Sequence, residues 1–369
     1  MNILVFNWRD IKHPQAGGAE INIHNLAKNW VLKGHKVTLF CGAYPNCVKK
    51  DNEDGIEIIR SGNRYTVYIS AFINYLLRFS GKYDIVIDLE NGIPFFTPIF
   101  CRKPKVLLIH HIHENVFFKE LKFPLNYFAF ILEQKIMPFL YKNTNVMTIS
   151  ESSKEELIKA GLGGKKIGIV YPAIDHTQYK TSNTKSKIPL VVHIGRLKKY
   201  KSVDVLLHAF SILAKDVPTA RLVIAGTGDY APELKILAQN LNIDDKVDFR
   251  GFISDEEKIN LLQKAWVSAN PSYKEGWGIT VIEANACGTP VVASNVPGLK
   301  DSVIDGKTGF LADYGNAGDF ANKIKLLLTD RKLRKDFEKN AVDWAKKFDW
   351  KTSADVALKF LSDCLQKRK

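Results

Sequence analysis

The chain has 369 residues, 46% of them hydrophobic and 25% charged, with a formal net charge of +14. That is too long for one ordinary core and too apolar for disorder, so two conventional domains are expected. Five cysteines without a Cys-x-x-Cys pair indicate neither a disulfide framework nor a zinc site, and no run reaches the roughly 18 apolar residues of a membrane span. The cysteine usage fits a reducing cytoplasm. The basic excess is shared between residues 1–180 and the remainder, without zinc-finger spacing or an aromatic RNP string, so no nucleic-acid module is recognisable.

The N-terminus has no basic leader before an apolar run and reads as a buried strand over 2–6. A helical pattern follows over 20–33, then strand-like runs at 36–41, 56–60, 85–88, 106–110 and 146–149, a helix over 152–160 and a strand over 167–171. Such alternation predicts βαβ units and a parallel sheet. Gly17 and Gly18 precede the first helix, where bare backbone and a helix N-terminus permit close approach by an anion. The run to Ile109 ends in His110-His111-Ile112-His113-Glu114. A strand end scatters successive side chains to different faces, and no remote carboxylate or cysteine motif completes a metal site, so none is expected. Asp88-Leu-Glu90, the nearest match to an Asp-x-Asp motif, is expected to border a ligand of the first domain. Ser152-x-x-Glu155 reads as a helix cap. Residues 115–132 are aromatic and interleaved with Lys119 and Lys122, and meet either the core or an anionic membrane surface.

Residues 172–188 are polar and poor in core formers, as a linker would be. The expected domains are 1–180 with 350–369, and 181–349. Beyond the linker the pattern resumes with strands at 190–194, 221–225, 247–250, 267–270 and 291–294, and helices at 203–215, 233–241 and 256–264. Arg196 and Lys201 follow the strand at 190–194; a guanidinium fork and a movable ammonium together can neutralise a diphosphate. A turn with Pro271, Ser272, Gly276 and Gly278 then leads into a helix from about Ile279 to Cys287. Its N-terminus leaves backbone donors unpaired and partially positive, which suits a diphosphate, with Ile279 and Thr280 at the contact. Glu275 sits outside that helix and Glu283 one turn inside it, so the two acids need not do the same work.

The string from Glu275 to Glu283, a Glu-(x)7-Glu pattern running into Glu-Ala-x-Ala-x-Gly-x-Pro-Val-Val, resembles the signature of the family four retaining glycosyltransferases. Further matches extend from near residue 1 to about residue 320. The resemblance implies the α/β GT-B fold, two Rossmann-like domains facing a central cleft, with the helical tail over 331–365 crossing back to the first domain. It implies that Gly17 and Gly18 face donor phosphates and acceptor, that one histidine at the strand end, His110 or else His111, lies by the transferred sugar, and that Ile253 packs near the nucleobase. Ser202 stands where the family's glycine follows the lysine. The implied reaction is metal-independent, retaining hexosyl transfer from a UDP- or GDP-sugar to a glycan, lipid-linked or lipid acceptor, at the inner face of the membrane if 115–132 meets lipid. A nucleotide-sugar epimerase and a non-enzymatic nucleotide-sugar sensor are the alternatives.

Overall fold

The computed structural model describes residues 1–182 and 184–366; residue 183 of the expected linker and the last three residues of the 350–369 segment lie outside the described residues. The chain forms two units, Met1–Ala173 with the segment from Trp350 onward, and Ile174–Asp349. Residues 174–180, read from sequence as part of the first domain, belong instead to the second. Ile174 and Tyr179 are buried, Ile174 bridges to Asp349, and the Tyr179 hydroxyl donates to Glu283. The surrounding polar residues hide these two anchors in a linear reading.

The first sheet runs β3-β4-β2-β1-β5-β6-β7-β8, with β1 Asn2–Phe6, β2 Lys36–Cys41, β3 Lys50–Glu53, β4 Ile56–Arg60, β5 Ile85–Glu90, β6 Lys105–Ile109, β7 Asn145–Thr148 and β8 Ile167–Ile169. Every pairing is parallel except β3 with β4. The central strands are apolar because helices cover both faces of a parallel sheet. β1 is buried from Ile3 to Phe6, below the helix Gly18–Leu32. The last helix, Trp350–Gln366, packs on that helix, where the Trp30 indole donates to the Ala354 carbonyl (3.2 Å). β3 is Lys-Asp-Asn-Glu, a half-exposed edge with no apolar alternation to announce it.

In the second unit the order is β11-β10-β9-β12-β13-β14, all parallel, with β9 Leu190–Ile194, β10 Arg221–Ala225, β11 Val247–Gly251, β12 Val267–Asn270, β13 Val291–Ser294 and β14 Gly309–Ala312. Among the parallel strands the order reverses between β1 and β5 in the first sheet and between β9 and β12 in the second. Doubly wound sheets bind ligands at the carboxyl ends of strands beside such reversals.

Candidate functional site

In the second unit the loops after β9 and β12 bring the predicted donor residues together. Lys201 ends a short 3-10 turn, Lys199–Lys201, and its ammonium is ion-paired with Glu275, which also accepts from the Ser272 hydroxyl (2.9 Å). Burial opposes the charge of Lys201, but the Glu275 carboxylate outweighs it and holds the amine above the usual lysine range. Arg196 is exposed, with Tyr200 Oη 3.4 Å from its guanidinium. Ser202, where glycine was expected, takes the left-handed conformation (φ 51°), so the loop follows the path a glycine would allow.

Gly278 caps the helix Ile279–Ala286 at φ 80°, and a Cβ there would lie 2.7 Å from Leu299 Cδ2. The left-handed conformation favours glycine, which leaves the turn's backbone without a side chain. One turn on, Glu283 is buried, and one carboxylate oxygen accepts from Tyr179 Oη (2.9 Å) and Lys258 Nζ (3.0 Å). Burial works against the Lys258 ammonium, yet Glu283 and Tyr179 outweigh it and keep it charged. Neither partner was foreseen, because both come from segments distant in sequence. Ile279 and Thr280 are half-buried at the helix start, and Ile253 is half-buried beside an exposed Phe252 after β11.

In the first unit Gly17 caps the helix Gly18–Leu32, with the Glu20 carboxylate accepting from the Gly17 N–H (2.8 Å) and from the Asn91 side-chain amide (3.1 Å). A Cβ on Gly18 would meet nothing within 4 Å, and φ at Gly17 is an ordinary extended −143°. The protein's own packing therefore does not require this glycine pair. His110 follows β6, receives the Asn22 amide on Nε2 (3.1 Å), and has its carbonyl held by the Ser153 hydroxyl (2.8 Å). Burial, aided by His113, lowers its pKa to about 4, so the ring is neutral at pH 7. The cap of the following helix is Ser150, which accepts from the Ser153 N–H (3.1 Å), rather than Ser152.

Two expectations about the first-unit acids are corrected. Asp88 borders no open surface: it is fully buried and clamps residues 95–97, accepting from the Phe95 N–H (2.9 Å), the Thr97 hydroxyl (2.7 Å) and the Tyr141 hydroxyl. His113 does meet remote carboxylates, since Glu90 from the end of β5 and Glu133 from the turn Leu132–Ile136 place their oxygens with Nδ1 within 4.8 Å of one another. The topology creates this donor set, which no sequence spacing encodes. Glu133 is already committed to the loop, accepting from the His113 N–H (2.6 Å), His113 Nδ1 (3.1 Å) and the Glu114 N–H (2.8 Å). Burial raises Glu133, but His113 more than offsets this and holds it below the ordinary range.

Burial pushes the Glu90 carboxyl from 4.5 up to about 8. The unfolded chain thus releases a proton near pH 4.5 that the folded chain keeps until about pH 8, so this group's contribution to stability declines across that window. Glu90→Gln is expected to remove the decline. Urea midpoints measured from pH 5 to 8 check it; parallel slopes in the two proteins would refute the assignment.

Comparison with known proteins gives two family matches that meet near the unit boundary: Glycosyltransferase Family 4 over residues 16–178 and Glycosyl transferases group 1 over residues 175–344. A D-inositol 3-phosphate glycosyltransferase from Thermobifida fusca is 26% identical, over 95% of this chain and 89% of its own length. Other curated proteins of that name align over about half of their length. Among solved structures, sucrose-phosphate synthase from Thermosynechococcus elongatus has a TM-score of 0.82 at 21% identity, each chain covered in full (100%). HepE from Anabaena in complex with UDP-glucose has a TM-score of 0.79 at 22% identity, over 98% of this chain and 100% of that one.

Proposed function

Because this chain belongs to the family 4 glycosyltransferases and has their GT-B fold, we propose that it moves a hexose from a UDP- or GDP-sugar, with retention and without a metal, to a glycan or lipid-linked acceptor. The observation that carries this reading is the second-unit reversal, where Arg196, Lys201, Glu275 and the bare turn at Gly278 share one strand-end crevice. Fixed donors aimed where leaving-group charge develops can each supply roughly 2.7–4 kcal/mol. The Anabaena complex with UDP-glucose supports a nucleoside diphosphate sugar as donor.

In this mechanism the Gly278 turn and the N-terminus of the helix Ile279–Ala286 receive the diphosphate, with Arg196 and Lys201 neutralising charge as the glycosidic bond breaks. Glu283 holds the ribose, and Glu275 orients the sugar hydroxyls. Ile253 lies against the base. In the first unit the Gly17-Gly18 pair, which the fold does not need, leaves room for an acceptor hydroxyl, and His110, neutral at pH 7, is assigned to the transfer step. The test is transfer with UDP- and GDP-hexoses, with the product's anomeric configuration read by NMR. An inverted product would defeat the retaining mechanism, and a new nucleotide sugar formed without acceptor would mark an epimerase.

We further propose that the acceptor lies at an anionic membrane. No helix among the described residues is long and apolar enough to cross one, so contact would be peripheral. Residues 115–132 are mostly not core: Phe123 is 78% exposed, and Leu125, Tyr127, Phe128 and Ile131 are also exposed. Phe139, Ile99, Phe72, Leu76 and Leu77 of the same unit are exposed as well. Exposed apolar groups gathered in one patch mark an interaction site. Exposed Lys119, Lys122, Lys135 and Lys142 lie along it, each able to add about 1 kcal/mol at an anionic surface. Co-sedimentation with phosphatidylserine-containing vesicles is expected at low salt and weakened at high salt. Failure to bind them at low salt, together with full activity on a soluble sugar acceptor, would remove this part of the reading.

A further inference from the structure

Beside the Gly17-Gly18 loop the first unit holds a cavity of about 220 Å³ over the carboxyl ends of β1, β2 and β4, lined by Trp8, Arg9, His13, Tyr44, Asn63 and Arg64 among others. We infer that this cavity binds an anionic group, a phosphate or a carboxylate, carried by the acceptor. The inference rests on the glycosyl-transfer reading above and gives its acceptor a chemical class.

The charge pattern supports it. None of the lining residues is acidic. The Arg9 guanidinium lies 4.0 Å from the centre of the Trp8 ring and the Arg64 guanidinium 5.8 Å from it, so the indole orders two cationic forks at one mouth. Arg64 makes no ion pair among the described residues, and the Arg9 fork donates to the Gln15 carbonyl at the rim. The buried acid next to Arg9 in sequence is already neutralised: Asp10 takes Arg60 in a two-pronged pair (2.6 and 3.1 Å). Arg60 in turn lies 5.5 Å from the Tyr44 ring, whose edge meets His13 with centroids 5.1 Å apart. The wall is therefore braced from beneath, and the residues that line the cavity carry no carboxylate.

Size and position narrow the ligand. Pockets for whole small molecules run to roughly 300–1,000 Å³, so this one suits a single sugar ring or a charged substituent. Arginine forks match the paired oxygens of phosphate and carboxylate alike. In the sheet order β2 and β6 are three strand spacings apart, about 14 Å. The charge would thus sit on a part of the acceptor remote from the hydroxyl near His110.

The test is calorimetry on the whole chain with glucose 6-phosphate, glucuronic acid and glucose. At least tenfold preference for either charged sugar over glucose is expected, the two arms telling phosphate from carboxylate. Arg9→Gln and Arg64→Gln should each weaken that binding at least tenfold, and Arg64→Lys, which keeps the charge but not the fork, should weaken it less. Equal binding of all three sugars, or charged-sugar binding indifferent to both arginine replacements, would overturn the inference. A parallel titration with UDP and with GDP separates the two ideas: binding of either nucleotide without charged-sugar preference sinks only the anion cavity, whereas binding of neither sinks the transferase reading beneath it.

Discussion

Arg196→Ala and Lys201→Ala are each expected to slow transfer by roughly 10²–10³-fold, the loss seen when one preorganised donor is taken from a developing anion. The two variants differ in what they leave behind. The exposed Arg196 side chain donates to the Tyr200 hydroxyl at 3.4 Å and makes no ion pair among the described residues, so its removal should leave the fold intact and report the diphosphate contact. Lys201 is paired with Glu275, and its loss leaves that carboxylate without its cation. Arg196→Lys, retaining charge but not the planar fork, should fall between wild type and alanine. Chelation by EDTA should leave the wild-type rate unchanged, since the fixed cations take the metal's place in this mechanism. Activity abolished by EDTA and restored by Mg²⁺ or Mn²⁺ would overturn that mechanism.

Much of this site is legible in the sequence because its parts are local. Gly278 and the helix after it are written in consecutive residues, and the apolar strands that position the loops stand out as buried runs. Ser202 shows a limit of the same reading: its left-handed backbone is set by the turn it closes, so the residue type did not reveal the path. Contacts between distant segments were not legible at all. Lys258 and Tyr179 reach Glu283 from 25 and 104 positions away, and Glu90 and Glu133 reach His113 only after β5, β6 and a later turn are assembled. The edge strand β3 was missed because its polar residues carry no periodicity, its pairing with β4 supplying the order. The segment 115–132 was ambiguous because an apolar helical stripe looks the same whether it meets a core or a surface.

The two acids of the signature should separate by what their replacement does to free UDP. Glu283→Ala is expected to weaken UDP binding and to destabilise the second unit, because the Lys258 ammonium and the Tyr179 hydroxyl lose their shared acceptor. Stripping one partner from a buried pair costs roughly 3–5 kcal/mol. The low end applies, since Lys258 retains Asp255 at 3.1 Å. Glu283→Gln keeps an acceptor for Tyr179 and should recover part of the stability while still lacking the charge that holds the ribose. Glu275→Ala acts differently. It releases Lys201 from its ion pair, so affinity for the free diphosphate should be preserved or raised, while turnover falls because the sugar hydroxyls are no longer oriented. Calorimetry with UDP beside steady-state rates decides the matter, with thermal unfolding run on each variant to separate lost binding from lost structure. If Glu275→Ala and Glu283→Ala depress UDP affinity and turnover to the same extent, the division of labour between the two carboxylates fails.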